Sequence, residues 1–177
     1  MHQLLLLRHA KSVREEAGLA DRDRSLAPRG RRDAAAMRAA MRRLGLVPDL
    51  VLLSPSRRTR ETLAGLEPWD DTPLVETLEQ LYLADAAGLE AALAEVPETV
   101  RSVLLIGHNP GLHLLARTLV GGSRGDAARD AAGRLAERYP TGALAEFVIP
   151  GPWHHLDGAR LIRFLTPEDL APDQTRA

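Results

Sequence analysis

The chain has 177 residues, 45% apolar and 27% charged, which suits one domain with a continuous core and excludes global disorder. A formal net charge of −1 excludes an overall field that would recruit nucleic acid or an anionic membrane, so any anion site must be built locally. The absence of cysteine excludes disulfides, thiolate metal sites and cysteine nucleophiles, and fits a reducing compartment, with the cytoplasm as the expected location.

The first run, Met1–Leu7, is too short for a signal or membrane segment and reads as a strand running into Arg8 and His9. Gly30–Leu44 is predicted as a helix, with Met37, Met41 and Leu44 on one face and Gly45 as its stop. Leu50–Leu53 and Val103–Ile106 repeat the design of Leu4–Leu7: short, continuously apolar, as expected of parallel strands covered on both faces. Pro55 and Pro110 follow these strands, with Ser54 and Asn109 as expected N-caps of the next helices. A helix is predicted over Ala86–Glu95, and strands near Ala143–Ile149 and Arg160–Leu165. Gly121–Arg134 and Pro150–Gly158 read as loops or loosely held excursions. The expected organisation is one domain over 1–165 and a tail over 166–177 that holds a short helix at most, with an α/β sandwich as its fold.

In open parallel sheets, ligands bind beyond the carboxyl ends of the strands. There the sequence places Arg8-His9-Ala10-Lys11-Ser12, Ser54-Pro55-Ser56-Arg57-Arg58 and Gly107-His108-Asn109-Pro110-Gly111. Guanidinium groups and imidazoles on one rim, with two helix starts aimed at it, suit a phosphoryl group. A neutral imidazole can attack phosphorus and divide one hard displacement into two easier ones, provided that its other nitrogen is fixed by a backbone carbonyl.

Leu5-Leu6-Leu7-Arg8-His9-Ala10 resembles the arginine-histidine signature of the histidine phosphatase superfamily, with alanine where many members have glycine. Ser54-Pro55-x-x-Arg58-x-x-x-Thr62 and Gly107-His108 are similar to its second-arginine and second-histidine elements, in the same order. The compact length, Asp23-Arg24-x-Leu26 followed by Gly30, and Pro140-Thr141-Gly142-Ala143 resemble the SixA-type phosphohistidine phosphatase branch. The resemblance implies a three-layer α/β/α sandwich with a mostly parallel sheet, similar to phosphoglycerate mutase. It implies His9 as nucleophile, Arg8, Arg58 and His108 around the phosphate, and chemistry without a cofactor or metal.

Lys11, Ser12 and Asn109 are further candidates for substrate contact. For the general acid, Glu79 in Leu78-Glu79-Gln80-Leu81-Tyr82 faintly resembles the acid-bearing segment of the mutase-like branch. Asn109 fills the other common location, directly after the second histidine, and Glu76 and Asp23 are alternatives. A phosphorylated imidazole leaves neutral, with a conjugate acid of pKa about 6.5, and needs less from an acid than an alcohol does. A thin acid signal therefore favours phosphoramidates. The expected partner is a phosphorylated protein, phosphohistidine-bearing among others, or a small phosphorylated metabolite; a mutase, a small-molecule phosphomonoesterase or a non-catalytic binder are the alternatives.

The face formed by Arg31, Arg32, Arg38, Arg42 and Arg43 is expected to be solvated, as are Arg57 and Arg60, and His113 is expected to pack or to lie at an exposed edge. His154 and His155 lack the spacing of a zinc site.

Overall fold

The computed structural model describes residues 1–14, 18–120 and 126–171. Strands β1 (His2–Arg8), β2 (Leu50–Leu53), β3 (Leu74–Thr77), β4 (Ser102–Gly107), β5 (Leu144–Ile149) and β6 (Arg160–Leu165) form one sheet in the order β3-β2-β4-β1-β5-β6. The four strands from β3 to β1 are parallel, whereas β5 and β6 join antiparallel to their neighbours.

Alternation along β1 divides the core. Leu4 and Leu6 pack with α3 (Ala86–Ala94), α4 (Gly111–Leu119) and α5 (Asp126–Glu137), while Leu5 and Leu7 pack with α1 (Pro28–Leu44) and α2 (Arg57–Leu66). Both faces being covered is why these strands are apolar at every position. The result is the expected three-layer sandwich.

Departures from the sequence reading have identifiable causes. Residues 126–134, read as loop, lie in α5, where Ala131 and Leu135 at i and i+4 turn one face inward; residues 121–125 lie outside the described ones. Strand β3 was not foreseen, because its four residues are all exposed at the sheet edge and carry no buried pattern. Leu44 leaves the apolar face of α1 and is exposed, although Gly45 does stop the helix with φ 66°.

Residues 150–158 are irregular but not loosely held. Trp153 is fully buried, its indole N–H donates to Val100 O at 3.0 Å, and its backbone N–H donates to Glu98 Oε1 at 2.9 Å. In the last described stretch, Thr166 N–H and Oγ1 both donate to Asp169 Oδ2, and α6 (Pro167–Leu170) is tied to α5 and the residue after it by the ion pairs Arg134–Asp169 and Arg138–Glu168. No helix among the described residues is long and apolar enough to cross a membrane.

Candidate active site

The register of the sheet brings three chemical segments to one level. Arg8 pairs with Gly107 and Leu53 with Ile106, so His9, Ser54 and His108 each leave the sheet one residue beyond its edge. Backbone bonds hold them there: His9 N–H donates to Gly107 O at 3.1 Å and Ser54 N–H to Ile106 O at 3.2 Å.

His9 is 7% exposed. Its Nδ1–H donates to Ala10 O at 2.8 Å, which leaves Nε2 as the lone-pair nitrogen. Burial is the largest influence on this ring and, with Arg58, Arg8 and Arg24 nearby, outweighs the Ala10 bond to bring its pKa down to about 4. His9 is thus a neutral, oriented imidazole at physiological pH. The loop that presents it is braced, since Ala10 N–H donates to Thr62 Oγ1, Gly142 N–H donates to the carbonyls of Arg8 and His9, and a side chain at Gly30 would run into the Lys11 carbonyl.

His108, 3% exposed, lies across the pocket with its ring centroid 5.3 Å from that of His9. Burial first, then His9 and Arg58, lower its pKa to about 3. Its Nε2 meets Ser54 Oγ at 2.7 Å and its Nδ1 faces an Arg58 terminal nitrogen at 3.4 Å. A guanidinium can only donate, so Nδ1 accepts and Nε2 carries the hydrogen.

Arg58, 2% exposed, gives one terminal nitrogen to Asp21 O at 2.6 Å and the other to Asp21 Oδ2 at 3.0 Å. Arg8 donates to Tyr139 O at 2.9 Å. The Nε atoms of both arginines are buried without a hydrogen-bond partner. Burial and the like charge of Arg58 lower the Arg8 pKa. Two guanidinium groups that repel each other and keep buried donors unpaired have the chemistry to hold an anion. The neighbouring Arg57 is exposed and paired with Glu61, which settles the register in favour of Arg58.

Asp21, Arg24, Ser54 and Tyr82 complete the site and were not singled out from sequence as site residues. Asp21 Oδ2 also accepts from the Tyr82 hydroxyl at 2.5 Å, and Oδ1 accepts from Arg24 at 2.7 and 3.0 Å. Burial opposes its ionisation, but the bonds from Tyr82, Arg24 and Arg58 offset this and hold its carboxyl far below the usual range. The available signal was Arg24 within Asp23-Arg24-x-Leu26; a 3-10 turn over Asp21–Asp23 leaves Asp23 exposed and makes Asp21 the pocket carboxylate.

The other expected residues fall as follows. Ser12 is buried and accepts from Arg24 at 3.3 Å, while Lys11 is exposed beside a cavity of about 130 Å³ shared with Arg29, Asp33 and Thr141. Glu79, expected as an acid, is 74% exposed in its side chain and bonded to Arg22 at 2.6 Å, which lowers its pKa, so it carries no proton near neutrality. Glu76 lies exposed on β3. The expected caps are also reassigned. Ser54 serves His108, Ser56 caps α2, and α4 follows Pro110 with no side-chain cap from Asn109. Among the described residues, no three His, Cys, Asp or Glu side chains are grouped to hold a metal ion.

Fold and site define a phosphoryl-handling α/β enzyme with paired histidines and arginines. Residues 4–82 match the histidine phosphatase superfamily (branch 1). The chain is 36% identical over 165 residues to an uncharacterized protein of Mycobacterium tuberculosis strain H37Rv, spanning 91% of this chain and 99% of that one. Among solved structures it is similar to a protein assigned as the phosphohistidine phosphatase SixA in Nakamurella multipartitia, with TM-score 0.79 and 29% identity over 94% of this chain and 96% of the other. The corresponding Agrobacterium tumefaciens protein gives 0.78 and 27%, over 94% and 98%. The chain belongs to the histidine phosphatase superfamily and is a phosphatase of the SixA type.

Proposed function

We propose that this enzyme hydrolyses phosphoramidates, with phosphohistidine on a protein as the leading substrate, through a phosphoryl group carried on His9. The observation that carries this reading is the free Nε2 of His9, oriented by Ala10 O and flanked by two arginines with unpaired buried Nε donors. Arg8 and Arg58 bind the phosphoryl oxygens. The Nε2 lone pair attacks phosphorus while the bond to the leaving nitrogen breaks, and water then takes the phosphoryl group from His9.

His108 is neutral in the free protein. A dianionic phosphoryl group beside it favours protonation at Nδ1, which then donates to a phosphoryl oxygen. Among the described residues, the carboxylates at and near the pocket are held ionised, Asp21 by Tyr82, Arg24 and Arg58 and the exposed Glu79 by Arg22. That suits a leaving group that departs as neutral imidazole better than an alkoxide, and it favours phosphoramidates over sugar phosphates.

Labelling with ³²P-phosphoimidazole and an alkaline quench, under which phosphohistidine survives, tests this. Acid-labile label should map to His9 and vanish in His9→Ala. Continued turnover by His9→Ala would refute the mechanism; strong preference for sugar phosphates would refute the substrate class.

A further inference from the structure

Arg58 is held on one side by Asp21 and faces His108 on the other. Both terminal nitrogens of its guanidinium are taken by Asp21, one by the backbone carbonyl at 2.6 Å and one by Oδ2 at 3.0 Å, and the nitrogen on Oδ2 also faces His108 Nδ1 at 3.4 Å. The carboxylate is itself fixed. The Tyr82 hydroxyl donates to Oδ2 at 2.5 Å, Arg24 donates twice to Oδ1, and Arg24 is anchored in turn on Val13 O at 2.9 Å. Carboxylate, guanidinium and imidazole thus form one chain of contacts, which keeps Asp21 Oδ2 within about 6.5 Å of His108 Nδ1.

Proton uptake by His108 disturbs that chain. Nδ1 is the nitrogen without a hydrogen, so the proton goes there; Nδ1 then no longer accepts from Arg58, and two cationic donors face each other. The surroundings of the ring oppose this step. His9 and Arg8 face it from the end of β1 and Arg58 from α2, while Ser54 beyond β2 and Tyr82 are uncharged. Asp21 is the negative charge among them, and it raises the His108 pKa where burial, His9, Arg58 and Arg8 lower it. We infer that Asp21 is a positioning residue for phosphoryl transfer: by holding Arg58 and offsetting its charge, the carboxylate lets His108 Nδ1 take the proton that it donates to the phosphoryl oxygen. This rests on the reading above, in which a bound phosphoryl group makes His108 cationic. One proton is drawn from solvent as the phosphoryl group binds, and Asp21 stays ionised and bonded to Arg58 throughout.

Imidazole ¹H–¹⁵N spectra across pH, recorded with saturating inorganic phosphate and assigned with His108→Gln, read the His108 titration directly. Asp21→Asn, nearly isosteric, removes the charge and should move that titration to lower pH by about one unit. The same variant should lower kcat for phosphoimidazole at least about fivefold. Asp21→Glu keeps the charge and should recover at least half of the shift. Thermal melts establish that each variant is folded, and Asp21→Ser serves where asparagine does not fold. A fall in kcat with the His108 titration unmoved overturns the inference, because a residue that merely braces its loop would act in that way. A titration and a kcat both left at the wild-type values by Asp21→Asn overturn the role of Asp21 alone. Phosphate-saturated wild type in which His108 stays neutral down to about pH 5 overturns the cationic His108 of the reading above as well.

Discussion

Lowering the pH from 8 to 5 should destabilise this protein through His9 and His108, the two buried histidines of the candidate site. Their folded pKa values are depressed, to about 4 for His9 and about 3 for His108, from 6.5. These two histidines therefore bind more protons in the unfolded chain than in the folded one between about pH 3 and pH 6.5, and stability falls as the pH drops through about 6.5. At pH 5 an unfolded histidine is almost wholly protonated while each buried ring is almost wholly neutral. Each then costs about 2 kcal/mol, and the pair about 4 kcal/mol. The figure hardly depends on the folded values, since both lie at least about one unit below the assay pH. It is a large share of the roughly 5–15 kcal/mol that separates folded from unfolded domains. Carboxylates held down by hydrogen bonds, Asp21 by Tyr82, Arg24 and Arg58 and Asp169 by the Thr166 N–H and Arg134, release their stabilisation at lower pH, below their unfolded range of about 4. Urea unfolding at pH 8 and pH 5, for wild type and for His9→Gln/His108→Gln, isolates the effect. The wild type should lose about 4 kcal/mol more than the double variant between these pH values. Equal losses would show that the two rings are not held neutral by burial.

Arg57→Ala and Arg58→Ala should separate by at least about tenfold in kcat/KM for phosphoimidazole, with Arg58→Ala the poorer, because only Arg58 is buried against His108 and the pocket; steady-state kinetics of both decide it. Ser54→Ala removes the acceptor of the His108 Nε2–H inside a fully buried site and should lower turnover about tenfold with a smaller effect on KM, read from the same kinetics. Gly111→Ala would drive a Cβ into the carbonyl of Ala84 and should cost about 1–3 kcal/mol in urea unfolding, since backbone rather than a flexible side chain must yield.

The sequence by itself determined the parts of this protein that depend on local rules. Continuous apolar runs mark β1, β2 and β4, because strands covered on both faces need no polar alternation. Strand direction then places whatever follows them on one rim, so His9, Arg8, Arg58 and His108 were legible from position and chemistry. Tertiary structure alone decided which groups face each other across that rim. Asp21 rather than Asp23 reaches Arg58 because the 3-10 turn directs it there, and its partners Tyr82 and Arg58 lie 61 and 37 residues away. Ser54 looked like a cap because serine before proline usually is one; a histidine 54 residues on claims its hydroxyl. Helix α5 shows its inward face only once packed. Asn109 donates to a carbonyl 30 residues away, and no pattern along the chain encodes that meeting.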